Sequence, residues 1–156
     1  MSATRIPTAE IAVLFSAEGR STDLREEARV GLTSTPKQLQ PKWFYDGRGS
    51  ELFDAITRLP EYYLTRTERS ILERYAGEIA AITDATTLIE LASGTSDKTR
   101  LLRDALAPQR FVPFDVSEET LRASAQRLAR EYPALDVLAV VGDFEHHLPL
   151  LSLIHI

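Results

Sequence analysis

The sequence predicts an α/β fold in which the first half of a doubly wound parallel sheet follows a helical N-terminal cap. Three observations predict it. The chain has 156 residues, 44% hydrophobic and 26% charged, which is enough for one globular core. Its first half has apolar residues at helical spacing, and after Ala85 apolar runs alternate with helical segments. We therefore expect a cap over residues 1–84 and a partial ligand-binding domain over residues 85–150.

The cap begins with residues 1–20, which we expect to form a loosely structured arm. Residues 22–33 carry apolar side chains at fourfold spacing and predict a helix, and residues 50–59 predict a second helix that ends before Pro60. The members of the first apolar face are Leu24, Ala28 and Leu32.

A third helix is expected to begin at Thr65. Thr65 and Glu68 have the spacing of a capping box, in which the threonine and glutamate side chains bond to each other's backbone amides. The apolar residues that follow at helical spacing are expected to form its buried face. They are Ile71, Leu72, Tyr75, Ile79 and Ile82.

Strands and helices alternate in the second half. Strands are predicted over residues 86–91, 110–115 and 135–141, the second with a local irregularity at Pro113. Helices are predicted over residues 95–106 and from Ser117, as N-cap, to about residue 131. Short connections between such elements predict right-handed crossovers and a parallel sheet.

Charge and cysteine content exclude several function classes. The net charge of −5 gives no general attraction to nucleic acid or to an anionic membrane. The absence of cysteine excludes disulfides, thiolate metal sites and a cysteine nucleophile. The apolar run from Ile11 to Phe15 is too short to span a bilayer and lacks the features of a signal peptide. We expect a cytoplasmic protein without nucleic-acid or membrane partners, which is a monomer when full length.

The segment ELASGTSDKT, residues 90–99, lies between a predicted strand and a predicted helix, where such sheets bind ligands. Lys98 and Thr99 match the end of a phosphate-binding P-loop, but Ala92 and Asp97 replace both of its glycines. Gly94 is the only glycine of the segment, so a dinucleotide site is also poorly supported.

An S-adenosylmethionine site is the third alternative, and it needs no phosphate-cradling glycines. It requires a tight turn after the first strand and acidic residues after the next two strands. Gly94, Asp115 and Asp143 supply these features at the carboxyl ends of three successive parallel strands. Each aspartate taken singly is as compatible with a helix cap or a solvated loop.

Four segments together resemble the histidine-specific methyltransferase family, specifically the L-histidine Nα-methyltransferases of ergothioneine biosynthesis. The segments are PKWFYDGRGSELFDAITRLPEYYLTRTERSIL, ELASGTSDKTRLL, FVPFDVS and GDFE. The resemblance extends over about residues 24–148. It implies a Rossmann-like class I methyltransferase domain that uses S-adenosylmethionine to methylate the α-amine of L-histidine three times, without metal, giving hercynine.

The resemblance also implies roles for individual residues. Lys98, Asp115 and Asp143 with Phe144 match cofactor-binding positions, while Tyr62 and Tyr45 match positions that contact or line the histidine pocket. The chain departs from the family at Ala92, where glycine is usual. The methyl group of Ala92 is expected to narrow the approach to the cofactor or to demand ordinary backbone angles. No catalytic base is assigned, because methyl transfer to a neutral amine needs mainly alignment and a closed pocket.

Simpler interpretations stand beside these. Tyr62 and Tyr45 are also compatible with ordinary packing. His146 and His147 are adjacent and should diverge rather than converge on a metal.

Family members are about twice as long, so we expect an N-terminal fragment that is inactive alone. Residues 151–156, LSLIHI, are expected to be a non-native, adaptor-derived tail. A related amino-acid N-methyltransferase with another substrate, or a non-catalytic cofactor-binding fragment, remain the alternatives.

Overall fold

A parallel sheet flanked by helices dominates the computed structural model, which describes residues 9–94 and 98–149. The strands are β1 (Glu10–Val13), β2 (Thr87–Leu91), β3 (Arg110–Asp115) and β4 (Asp136–Val141). The helices are α1 (Ala17–Thr33), α2 (Gly47–Ile56), α3 (Leu64–Thr83), α4 (Thr99–Leu106), α5 (Glu118–Glu131) and α6 (Phe144–His147), with a 3₁₀ helix at Pro41–Phe44. The predicted α/β class is confirmed.

All four strands are parallel, in the order β1-β4-β3-β2. Leu88 pairs with Phe111 in the β2–β3 ladder, and Phe111 pairs with Val137 in the β3–β4 ladder. Because the strands are parallel, the loops that follow β2, β3 and β4 lie along one edge of the sheet. This edge is where the predicted ligand-binding residues fall.

The expectation of a loose arm over residues 1–20 is wrong for the part that the structure describes. Glu10–Val13 is a strand, and its residues pair with Leu138–Val141 of β4. α1 then begins at Ala17, five residues before the predicted start, because the Ser16 hydroxyl accepts a hydrogen bond from the Gly19 backbone at 3.1 Å. The N-terminal segment therefore contributes to the sheet.

The core occupies both faces of the sheet, because side chains alternate along each strand. On one face α5 packs against β3 and β4, with Leu121 and Leu128 covering Phe111 and Val137. On the other face Phe114 packs with a second apolar set, made up of Val112, Leu138 and Val140. Both faces of β3 and β4 are therefore buried, which explains their nearly continuous apolar sequences.

The predicted capping box at Thr65 is also wrong. α3 begins at Leu64 with Tyr63 in the N-cap position, and no side chain caps it. α2 begins at Gly47, earlier than predicted, because the Asp46 carboxylate accepts a hydrogen bond from the Gly49 backbone at 2.7 Å. Ser117 does occupy the N-cap position of α5, but its hydroxyl donates to the Thr120 hydroxyl at 3.0 Å instead of accepting from a backbone amide.

The face of α3 that was expected to be buried is largely exposed. Ile71, Tyr75 and Ile82 are 50%, 39% and 75% exposed, and Ala76 is the one residue of the helix that is buried. Within the described residues, α3 packs mainly on α4. The periodicity therefore predicted the helix correctly but predicted the wrong buried face.

β2 forms one edge of the sheet within the described residues, with Ile89 and Leu91 42% and 46% exposed. In this part of the chain, β2 is hydrogen-bonded to β3 alone. Among the described helices, none combines the length and apolarity that crossing a bilayer requires.

Candidate functional site

The loop after β2 turns sharply through two left-handed residues. Ala92 has φ +54° and Gly94 has φ +50°, with buried Ser93 between them. A methyl group on a left-handed residue costs about 1–2 kcal/mol, whereas glycine carries no such cost. Ala92 therefore keeps the backbone shape that glycine would give, and the expectation that it would demand ordinary backbone angles is wrong. Thr95, Ser96 and Asp97 lie outside the described residues.

Hydrogen bonds join this loop to the ends of β3 and β4. The Ser93 backbone donates to the Phe114 carbonyl at 3.1 Å, and the Gly142 backbone donates to the Asp115 carbonyl at 3.0 Å. The Asp115 carboxylate accepts from the Gly94 backbone at 2.9 Å and from the Ser117 backbone at 2.8 Å. Two amides thus fix the orientation of Asp115, while a carboxylate keeps further acceptor sites free for a ligand.

A cleft of about 790 Å³ opens at this edge of the sheet, between the strand ends and the N-terminal helices. Its volume lies within the range of roughly 300–1,000 Å³ that is usual for small-molecule and cofactor sites. Six residues singled out from the sequence line it: Tyr45, Ala92, Gly94, Lys98, Asp115 and Asp143.

Lys98 lies at the N-cap position of α4 and forms an ion pair with Glu68 of α3. Both side chains line the cleft. On the sheet side, Glu90 accepts hydrogen bonds from the hydroxyls of Ser93, at 2.8 Å, and of Thr99. Glu90 thereby ties the end of β2 to its loop and to the first turn of α4.

Asp143 follows β4 at the N-cap position of α6 and is almost fully buried. Its Oδ1 atom accepts from the Glu145 backbone at 2.9 Å, and its Oδ2 atom accepts from Lys42 Nζ at 2.6 Å. Burial alone would raise the pKa of the Asp143 carboxyl, but these bonds and the nearby positive charges hold the pKa below its ordinary value. Asp143 is therefore an anion at neutral pH. Phe144 begins α6, and its side chain lies outside the described part of the structure.

Tyr45 and Tyr62 belong to one row of aromatic rings. The Tyr45 and Phe53 ring centroids are 5.8 Å apart, and those of Phe53 and Tyr62 are 6.1 Å apart, both edge to face. Tyr45 and Phe53 line the cleft. Tyr62 is placed behind Phe53, one ring away from the cleft wall, so its predicted contact with substrate stays a prediction.

The ring centroids of the adjacent His146 and His147 are 6.5 Å apart, with ring planes at 89°. His147 turns back on its own helix, where its Nδ1 atom lies 3.0 Å from the Asp143 backbone nitrogen. The structure does bring together Asp143, Glu145 and His146, whose potential ligand atoms lie within 4.8 Å of one another. The Lys42 ammonium is bound to Asp143 and lies 3.8 Å from Glu145, so a cation already balances this cluster.

The cleft offers the groups that S-adenosylmethionine requires. Among the described residues, no atom lies within 4 Å of the position where a Cβ on Gly94 would be, so on that side the backbone is open to a ligand. Asp115 could hold ribose hydroxyls, and Lys98 could hold the carboxylate of the methionine part. The residues present therefore fit this cofactor.

Sequence reasoning missed Lys42, Glu68 and Glu90 as site residues. Lys42 and Glu68 pair with residues that are 101 and 30 positions away in the chain. Such pairs leave no periodic signal. All three residues do fall within segments that carry the family resemblance, which was the available clue.

Comparison with known proteins shows one family. Residues 24–155 match the family described as histidine-specific, S-adenosylmethionine-dependent methyltransferases. The chain is 51% identical over 145 residues to histidine N-alpha-methyltransferase of Mycolicibacterium smegmatis, which covers 90% of this chain and 45% of the relative. It is 56% identical over 129 residues to histidine N-alpha-methyltransferase of Mycobacterium tuberculosis, covering 80% and 40%.

A more distant relative has a different name. Over 107 residues the chain is 36% identical to 4-dimethylallyltryptophan N-methyltransferase of Claviceps purpurea, covering 68% of this chain and 30% of the relative. The chain thus spans less than half the length of each of these relatives.

Proposed function

Because the chain belongs to the histidine-specific, S-adenosylmethionine-dependent methyltransferase family, we propose that its protein methylates the α-amine of L-histidine to give hercynine. Membership in this family favours S-adenosylmethionine over a nucleoside triphosphate or a dinucleotide as the bound ligand. The observation that carries the proposal is the cleft, in which Gly94, Asp115 and Asp143 meet at the carboxyl ends of three parallel strands.

The proposed roles follow the geometry. Asp115, fixed by two backbone amides, binds the ribose hydroxyls, and Asp143 at the next strand end binds near the adenine with Phe144. Lys98 leaves Glu68 to bind the cofactor carboxylate, and the left-handed turn at Ala92 and Gly94 lets the backbone approach the cofactor.

On the substrate side, Tyr45 and Tyr62 with Phe53 form the aromatic row that closes the cleft toward α2. When bound, the cofactor supplies a methyl group on a positively charged sulfur that departs as a neutral thioether. The chain's residues therefore hold a neutral amine in line with that methyl group and exclude water during the transfer. The ammonium formed by each of the first two transfers loses a proton to solvent before the next transfer.

The chain spans less than half the length of these two relatives. We propose that the 156-residue chain alone does not turn over histidine. We also propose that the complete protein is a cytoplasmic monomer without nucleic-acid partners. The net charge of −5 over these 156 residues supports only the absence of nucleic-acid partners.

The test uses the protein expressed from its complete coding sequence. It should bind S-adenosylmethionine by calorimetry and convert L-histidine to its trimethylated form, detected by mass spectrometry. The Asp115→Ala variant should lose cofactor binding, whereas Asp23→Ala, at an exposed position of α1, should retain it. Absence of cofactor binding by the unaltered protein would refute the proposal.

A related amino-acid N-methyltransferase is the second candidate, favoured by the match to 4-dimethylallyltryptophan N-methyltransferase. A panel of L-histidine, L-tryptophan and a prenylated tryptophan separates the two. A kcat/KM for either tryptophan compound above that for histidine would replace the first proposal with the second.

A further inference from the structure

Lys42 is the centre of a partly buried charge network at the end of β4. It lies in the 3₁₀ helix Pro41–Phe44, and its side chain is 14% exposed. Its Nζ atom is 2.6 Å from Asp143 Oδ2, 2.8 Å from Glu27 Oε1 and 3.8 Å from Glu145 Oε2. A lysine withdrawn from water in this way needs such partners, because an unpaired buried ammonium is strongly unfavourable.

The network fixes the Asp143 carboxylate at both oxygens. Oδ1 accepts from the Glu145 backbone at 2.9 Å, which alone would leave the other oxygen unpaired in a buried site. Oδ2 accepts from Lys42, so the carboxylate plane has one preferred orientation. The position of Asp143 at the cleft thus depends on a residue from the N-terminal half of the chain.

Lys42 is itself anchored from the other side. Glu27 of α1 accepts from Lys42 with one oxygen and from the Trp43 indole, at 2.8 Å, with the other. The ammonium also lies 5.1 Å from the Trp43 ring centroid. These contacts hold the lysine against α1 while its ammonium points at Asp143.

We propose that Lys42 is a positioning residue, which keeps the Asp143 carboxylate oriented and charge-balanced for cofactor binding. Lys42 and Asp143 both line the cleft, and the pair joins the N-terminal helices to the end of β4. Because this role rests on the proposed function, its test begins with the complete protein and S-adenosylmethionine.

The experiment compares Lys42→Met, Lys42→Arg, Asp143→Asn and the Lys42→Met, Asp143→Asn double variant. Arg48→Met is the matched control, since Arg48 pairs only with Glu51 at an exposed position, among the ion pairs of the described chain. Calorimetry gives the Kd for S-adenosylmethionine, steady-state kinetics give kcat and both KM values, and thermal unfolding gives Tm.

Lys42→Met should raise the Kd and KM for S-adenosylmethionine about tenfold or more, the effect of losing one charged hydrogen bond, with a smaller change in the KM for histidine. Lys42→Arg should restore most of the affinity. In the Asp143→Asn background, Lys42→Met should add no further loss, because its target is already neutral. Arg48→Met should match the unaltered protein.

A lower Tm with an unchanged Kd in Lys42→Met would show a purely structural role and overturn the inference. The inference would also be overturned if Lys42→Met weakened S-adenosylmethionine binding equally in the unaltered protein and in Asp143→Asn. Lys42 would then act on a group other than the Asp143 carboxylate. An unaltered protein that neither binds the cofactor nor methylates histidine would refute the proposed function and this role together, whereas an active protein insensitive to Lys42→Met refutes this role alone.

Discussion

The Gly94 backbone amide donates to the Asp115 carboxylate at 2.9 Å and so links the loop after β2 to the end of β3. The second oxygen of Asp115 holds the Ser117 amide at the start of α5. One side chain therefore fixes the turn that faces the cleft and the entry into the next helix.

Replacing Asp115 with alanine should remove both bonds and lower the free energy of unfolding by about 2–3 kcal/mol, because two backbone amides lose a charged acceptor. Asp115→Asn keeps one acceptor oxygen, so its free energy of unfolding should fall by less. Urea unfolding of the complete protein measures both. Asp23→Ala is the control and should stay within about 0.5 kcal/mol of the unaltered protein. Equal stability of Asp115→Ala and the control would contradict the linking role.

Ala92→Gly should stabilise the protein by about 0.5–1 kcal/mol, since glycine removes the left-handed penalty but adds freedom to the unfolded chain. It should also tighten S-adenosylmethionine binding, because the Ala92 methyl group lies at the cleft. Calorimetry and urea unfolding test the two effects separately.

Two matched substitutions control for this change. Ala107→Gly, at φ +47° after α4, should give the stability gain without the affinity gain. Ala81→Gly, inside α3, should instead destabilise by about 1 kcal/mol. If Ala92→Gly behaves like Ala81→Gly, the left-handed conformation of Ala92 is wrong.

Gly142→Ala should destabilise the protein by about 1–3 kcal/mol, because the added methyl group would lie 2.5 Å from the fully buried Phe114 ring. In Gly77→Ala, in α3, the added methyl group meets no atom of the described residues within 4 Å, and the substitution should stabilise the protein by about 0.5–1 kcal/mol. Differential scanning calorimetry of the complete protein distinguishes the signs. A stable Gly142→Ala variant would show that Phe114 can move away from the end of β4.

The Lys42–Asp143 pair predicts how stability depends on pH. Burial opposes ionisation of Asp143, but the bond from Lys42 and its charge, with other bonds and charges, lower its folded pKa. The contribution of ionised Asp143 to the free energy of unfolding is therefore present above the unfolded pKa of about 3.9. It is lost as the pH falls through the folded pKa.

Lys42→Met leaves the burial but removes the compensating bond. The stability difference between the unaltered protein and Lys42→Met should be about 2 kcal/mol near pH 7 and should shrink as the pH falls and Asp143 becomes protonated. Urea unfolding across this pH range measures it. A difference that is constant with pH would show that the ionised Asp143 is not the partner that matters.

The exposed edge strand predicts self-association of the 156-residue chain. Ile89 on β2 is 42% exposed, and an unpaired apolar strand edge recruits other chains. Ile89→Lys should reduce association in light scattering, whereas Val30→Lys, at a 53% exposed position on α1, should not. If the two variants associated equally, the surface responsible for self-association would not be β2.

Strands β2, β3 and β4 are predictable to within one residue because each is a dense apolar run between turn residues. β1 is not, because EIAV is only four residues long and its partner lies at the far end of the described chain. Periodicity also found α3 but misjudged its covered side, since burial depends on what packs against a helix.

The candidate site also contains both residues that the sequence predicts and residues that it does not. Gly94 and Asp143 follow strands and Asp115 ends one, so the topology of the parallel sheet brings all three to one edge. Lys42 could not be placed, because an ion pair across the fold depends on three-dimensional packing that no local pattern encodes.

The pairing of β1 with β4 has a consequence for synthesis of the chain on the ribosome. Glu10 leaves the exit tunnel long before its partner Leu138 has been translated. β2 and β3 can pair much sooner, so the strand that the chain makes first is among the last to find its place. Until then Ile11, which packs against the buried core in the folded protein, stays exposed to water.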